Sequence, residues 1–353
     1  MNKIITIIVP SYNMERFLEK GLFSLIVSEQ LLSKIQVIVV NDGSRDKTLE
    51  IAKRFENKYP NSFVVVDKQN GNYGSCINAG LKIALGTFVK ILDADDYYIT
   101  TGFEKMIQEL IFSEQKSEKV DLFFFDWRFV DEEDNVTKEL SFDIPENKVL
   151  DITSAETVRY FNSIQHHAIA YRTSFLKKQN YIQTEGVSYS DTEWIYKPLL
   201  YVRRIKYCPV TVYSYLFGRA DQSMSPSQRA KGFKSMLKIE QSMLSTYLAS
   251  KGKTDAIHEE IFRSKFVSNI TYFYSTYMIA YVSEETIKCL AEFDCFLKEN
   301  CVEIYDAIAN LTTAKPKIKY VKAFRKNPHG LKYKTIVSWN SFKEFLKRCV
   351  RRK

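Results

Sequence analysis

The chain has 353 residues, 45% of them hydrophobic and 26% charged, which suits a folded globular protein and excludes global disorder. Its net charge of +9 is uneven: residues 314–353 carry 14 Lys or Arg against the single acid Glu344, and the rest carries 37 bases against 41 acids. The chain is therefore not basic throughout, and no apolar run reaches the roughly 20 residues of a membrane span.

The first hundred residues alternate between two patterns. "IITIIV" (4–9), "IQVIVV" (35–40), "FVVVDK" (63–68) and "TFVKIL" (87–92) are short runs rich in β-branched residues. Between them lie the amphipathic "MERFLEKGLFSLIVSEQLL", "DKTLEIAKRFENKY" and "GSCINAGLKIAL", the last stopped by Gly86 as a C-terminal cap. Continuous apolar strands alternating with helices predict an α/β fold whose mostly parallel sheet carries helices on both faces. "VDLFFFDWRFVD" reads as a further strand and "EEDNVTKELSFDIPENK" as a surface loop or hairpin. "IKYCPVTVYSYLF" reads as strands broken by Pro209.

Beyond Ser227 the pattern turns helical, and the Tyr and Phe run at 272–281 has the spacing of a buried helix. The expected organisation is residues 1–227 as the α/β domain, 228–313 as a helical module and 314–353 as a basic tail. In the tail, Ile336, Trp339, Phe342, Phe345, Leu346 and Cys349 recur at helical spacing among lysines and arginines. That pattern fits an interfacial helix drawn to anionic lipid, and equally a helix docked on its own protein. The six cysteines form no CxxC pair and fit reduced thiols. "MNKIITIIVPSYN" has too short an apolar stretch for a signal peptide. These features point to the cytoplasm, with the inner face of the membrane open to the tail.

Unusual residues gather after each strand: Pro10, Ser11 and Tyr12; Asn41, Asp42 and Gly43; Asp67 to Tyr73; Asp93 to Asp96. Parallel strands place all four clusters at one sheet edge, where open α/β sheets bind ligands. "DADD" (93–96) packs three carboxylates into four residues that follow a buried strand, so something positive is expected on them. A calcium loop fits poorly, because Tyr97 and Tyr98 stand where a ligand and the glycine belong. The glycines of a dinucleotide fingerprint and the P-loop lysine are absent. A site built of carboxylates holds a diphosphate through Mg²⁺ or Mn²⁺, which take oxygens from both.

"IIVPSYNMERFLEKGLFSL", "VIVVNDGSRDKT", "NAGLKIALGTFVKILDADD" and "SDTEW" together resemble the family 2 glycosyltransferases, inverting enzymes of GT-A fold, over residues 3–225. "YSYLFGRADQSMS" is similar to bacterial members that build capsule, exopolysaccharide or cell-wall glycans. The resemblance implies a nucleotide-sugar donor, a UDP-sugar, bound by residues 1–98, and a glycan or lipid-linked glycan acceptor met by residues 99–227. By position it implies that Pro10, Tyr12 and Asp42 hold the nucleoside and that Asn70 lies in the loop closing over the donor. Asp93 would touch the ribose or the metal, Asp95 would be the principal ligand of Mn²⁺ or Mg²⁺, and Asp96 would support them. Asp191 would be the catalytic base.

The departures are Ile77 where many relatives carry an arginine before Asn78, Ser190 where they carry Glu, and Arg219 where they carry a metal-binding histidine. Arg219 is then expected on the diphosphate, and Glu193 is the fallback base or a helix N-terminal acid. His167 and Trp194 are candidates for the acceptor. The processive Q-x-x-R-W motif is absent, which fits transfer of one residue at a time. A catalytically degenerate scaffold subunit that binds nucleotide-sugar is the rival reading. Nucleic acid is not an expected partner, and the helical module is available for self-association.

Overall fold

The computed structural model describes residues 2–219, 222, 225–313 and 317–340. It divides into two compact units, Met1–Ser225 with Thr254–Ile261, and Pro226–Lys253 with Phe262–Lys353.

The first unit is a ten-stranded sheet with helices. Its strands are β1 (Ile5–Ser11), β2 (Ile35–Asn41), β3 (Phe63–Asp67), β4 (Phe88–Ile91), β5 (Tyr97–Tyr98), β6 (Leu122–Val130), β7 (Val136–Leu140), β8 (Val149–Asp151), β9 (Ile169–Arg172) and β10 (Arg204–Leu216). The order is β3-β2-β1-β4-β9-β6-β10-β5, with β7 on β6 and β8 on β10. β3, β2, β1 and β4 are all parallel. Every residue of β1 and β2 is buried, as strands covered on both faces require. From β4 onward the sheet is mixed. β9 runs antiparallel to both β4 and β6, and β6 and β10 are parallel to each other.

Two local readings change. The helix Asn72–Ile83 ends before Gly86, with Ala84 already extended. Gly86 serves close approach instead: a Cβ there would stand 2.3 Å from the backbone nitrogen of Thr6. β10 is one strand of 13 residues through Pro209, with its register against β6 shifting between Cys208 and Thr211. A bulge absorbs the missing N–H without ending the strand. The polar segment after β6 does form a hairpin, with β7 antiparallel to β6.

Thr254–Ile261, expected in the helical module, belongs to the first unit. Asp255 caps the helix Ala256–Ser275 by accepting from the backbone N–H of His258 at 3.1 Å, and the buried His258 ring reaches the Val202 carbonyl. Burial opposes the Asp255 charge, but its bonds from His258 and Arg203 hold the carboxyl well below the usual range. A depressed carboxylate stabilises the fold above its unfolded pKa and loses that contribution as pH falls through the folded value. Asp255→Ala is therefore expected to cost about 1 kcal/mol at pH 7 and progressively less in acid, read by urea unfolding across that range.

The second unit is helical, with the helices Phe233–Ser250, Glu284–Asn300 and Tyr320–Lys326 and a helix over 331–340 among its parts. Phe273, Tyr274 and Tyr277 are buried there, as the spacing predicts, and Arg325 forks onto Asp294 through two bonds of 2.8 Å. Among the described residues no helix is long and apolar enough to cross a membrane. Of the amphipathic tail positions, Ile336 is buried and Trp339 is 47% exposed; Phe342, Phe345, Leu346 and Cys349 lie outside the described residues.

Candidate active site

The parallel strands set Ser11, Asn41 and Asp67 side by side at their carboxyl ends. Asp42 follows at once and is 2% exposed. One carboxylate oxygen accepts from Lys68 Nζ at 2.6 Å and from the Gly71 N–H at 2.9 Å, and its backbone carbonyl accepts from the Asn70 side chain at 3.0 Å. Lys68 also donates to Ser75 Oγ at 2.8 Å. Gly43, at φ +73°, turns the chain under this loop. Tyr12 and Asn70 are exposed above it, whereas Pro10 is buried in β1 opposite Val40. Lys68 escaped the sequence reading, because nothing local marks a lysine after a strand as the partner of a carboxylate 26 residues earlier.

The three carboxylates of 93–96 are sent three ways, each to its own partners. Asp96 turns inward and accepts from Tyr213 Oη at 2.6 Å and the Leu216 N–H at 2.8 Å. Burial, with the Asp95 and Asp93 charges, pushes it well above the usual carboxylate range. Asp95 pairs with Arg219, whose guanidinium lies 4.2 Å from the Phe17 ring centroid. Asp93 accepts from Tyr73 Oη at 2.8 Å and meets His166 Nε2 at 2.9 Å.

His166 stands between two acids, since its Nδ1 lies 3.9 Å from Asp191. Burial disfavours its charge, but Asp93 and Asp191 raise its pKa overall. Burial opposes ionisation of Asp93 too, yet His166 and the Tyr73 bond hold it below the usual range. The protein packed around the part-exposed Asp191 carboxyl raises its pKa, with Asp93 adding to the shift and His166 opposing it. His167 is packed among Trp127, Tyr213 and Tyr215, each ring centroid 4.7 Å away. Burial, together with the His166 and Lys90 charges, drives its pKa well below 6.5, so the ring is neutral with a lone pair available.

Among the described residues, Asp93, His166 and His167 bring ligand atoms within 4.8 Å of one another. Both His167 ring nitrogens are buried without a hydrogen-bond partner, a state that a bound cation would relieve at the one carrying the lone pair. A carboxylate and two imidazoles suit a divalent transition metal, which Mn²⁺ is, better than Mg²⁺, which takes oxygen ligands. Asp95 stands outside this group, on Arg219.

Glu193 is fully buried and accepts from the Thr184 N–H at 2.6 Å, Thr184 Oγ1 at 2.8 Å and Lys197 at 2.7 Å, so its oxygens staple the segment 184–193. Trp194 is also fully buried, edge-on to Tyr171 and Tyr181, and offers no face to a sugar. The same segment docks on the helix Asn72–Ile83. Asn78 bonds both the N–H and the carbonyl of Gln183, and a Cβ on Gly74 would lie 2.2 Å from the Thr184 carbonyl oxygen. Ile77 is a core residue.

The model of the family described as glycosyl transferase family 2 matches residues 6–176. An uncharacterized glycosyltransferase of Mycoplasma genitalium, MG025, is 40% identical over 105 residues, 29% of this chain and 35% of the relative. The minor teichoic acid biosynthesis protein GgaB of Bacillus subtilis is 40% identical over 113 residues, 32% of this chain and 12% of the relative. The chain thus spans about a third or less of the length of these relatives. Among solved structures, residues 1–349 of Staphylococcus aureus TarS in complex with UDP-GlcNAc superpose with a TM-score of 0.67 at 19% identity, over 97% of this chain and 92% of that one. At that identity the likeness is one of fold, a GT-A sheet with a helical C-terminal region. Residues 6–176, which hold the parallel half-sheet and its acidic edge, thus match glycosyl transferase family 2.

Proposed function

We propose that the protein transfers one sugar, with inversion, from a UDP-sugar to a hydroxyl of a growing bacterial surface glycan. The observation that carries this reading is the linked set Asp93–His166–Asp191 at the carboxyl edge of β4, on the sheet edge that also carries Asp42. Asp42, Tyr12 and Asn70 bind the nucleoside, and Pro10 shapes the strand end below them. Arg219 leaves Asp95 for the diphosphate. Asp191 takes the proton from the acceptor hydroxyl as that oxygen bonds to the anomeric carbon, while the bond from that carbon to the diphosphate oxygen breaks on the opposite face. Asp93, with His166 and His167, would hold a Mn²⁺ ion, which when bound supplies positive charge for the departing diphosphate.

UDP is favoured because the structure of similar fold is a complex with UDP-GlcNAc, and a surface glycan because one relative is named for teichoic acid biosynthesis. A lipid-linked acceptor suits the 14 basic residues of 314–353, which would hold the enzyme at the inner leaflet. Calorimetric titration of UDP, GDP and CMP, each with and without Mn²⁺, tests the reading. UDP is expected to bind at least about 10-fold more tightly with the metal than without it, and more tightly than the other two. Failure to bind any nucleotide would overturn the transferase reading, whereas metal-dependent UDP binding without sugar transfer would leave the degenerate scaffold subunit as the better account.

A further inference from the structure

Lys90 is fully buried in β4, in the middle of the apolar run "TFVKIL". A buried ammonium is costly unless its donors are matched. Its Nζ donates to the carbonyl oxygens of His167 and Ile169, the latter at 3.2 Å, and the Tyr213 and Tyr98 ring centroids lie 5.6 and 5.9 Å away. Burial lowers its pKa to about 7, against the opposing pull of Asp93.

The sheet explains why a lysine stands there. The β4–β9 ladder holds two residue pairs, Phe88 with Arg172 and Val89 with Tyr171. The same register, if continued, would set Ile91 opposite Ile169 and Asp93 opposite His167. Instead Ala170 and Ile169 go on pairing with β6, and His166–Ala168 form a 3₁₀ turn. The two strands part just where the site begins. Carbonyls at such a parting lose their ladder partners and need another donor. Lys90 supplies it, bonding two carbonyls of the segment that carries both histidines.

We propose that Lys90 is a positioning residue: its ammonium ties the His166–Ala168 turn to β4 and so fixes where His166 and His167 stand relative to Asp93. The inference rests on the reading of that cluster given under Proposed function. Methionine, apolar and one atom shorter, would fill most of the same space but remove the Lys90 donor from the two carbonyls, and that difference makes the idea testable.

The experiment compares the wild-type full chain with Lys90→Met and Lys90→Ala in Mn²⁺-dependent turnover of UDP-sugars, and by crystal structure. In Lys90→Met, kcat is expected to fall about 10²-fold, as a displacement of roughly 1 Å can produce, with the donor KM moving less than about threefold. Added propylamine, an ammonium on a three-carbon chain, should restore part of the activity of Lys90→Ala and none of that of Lys90→Met, whose side chain fills the space. The Lys90→Met structure should show the His166–Ala168 turn displaced. If Lys90→Ala does not fold, the Met variant decides alone. Wild-type kcat in Lys90→Met, or a turn that has not moved, overturns the proposal. Should the wild-type protein turn over no UDP-sugar, the functional reading fails while the two structures still decide whether Lys90 ties the turn.

Discussion

Asp191→Asn is expected to lower kcat for sugar transfer by ~10²–10⁴-fold while leaving Mn²⁺-dependent UDP affinity within about twofold of wild type. The substitution removes the proton acceptor but keeps the shape and one carbonyl oxygen. The side chain begins the helix Asp191–Tyr196 and is 39% exposed, so an acceptor hydroxyl can reach it. Glu193 cannot take over, because its two oxygens already accept from Thr184 and Lys197 below the surface. Steady-state kinetics with UDP-sugar donors, set beside calorimetry of UDP, separates the two effects. Full activity in the variant would remove Asp191 from the mechanism. Loss of nucleotide binding along with activity would instead assign it to the donor side.

The edge of the sheet was legible in the sequence because β1 to β4 are continuous apolar runs, and parallel strands bring their carboxyl ends together whatever lies between. Asp42 and Asp93 could be placed at that edge on that ground alone. The partner of each carboxylate could not. Asp95 meets a residue 124 positions later, Asp93 one 73 positions later and Asp42 one 26 positions later, and local pattern carries no record of such pairings. Strand direction failed to show for the same reason: nothing in "IAYR" says that β9 lies between β4 and β6, antiparallel to both. Pro209 and Gly86 were misread because each residue type has two uses. Proline ends strands or sits in bulges, and glycine caps helices or admits a neighbouring backbone. Trp194 stood near Asp191 in sequence, but its side chain packs between two tyrosines that come from elsewhere in the chain.

The two aspartates of "DAD" should separate sharply when each is neutralised. Asp93→Asn is expected to bring UDP affinity in Mn²⁺ down to its metal-free value, since the side chain links the histidine pair to the open edge and is the carboxylate of the Asp93–His166–His167 group. His166→Ala should weaken Mn²⁺ binding by about 10- to 100-fold, by removing one imidazole and the bond that orients Asp93. Asp95→Asn should behave differently. Its carboxylate is already neutralised by Arg219, so metal would have to displace a buried guanidinium to reach it. Loss of that carboxylate frees Arg219 for the diphosphate, and metal-free UDP binding should strengthen. Calorimetry of UDP with and without Mn²⁺ on the three variants reads all of this without requiring an acceptor. If Asp95→Asn abolishes the metal dependence while Asp93→Asn preserves it, the ion sits on Asp95, and the Arg219 pair is then the state from which the donor and its metal release that carboxylate.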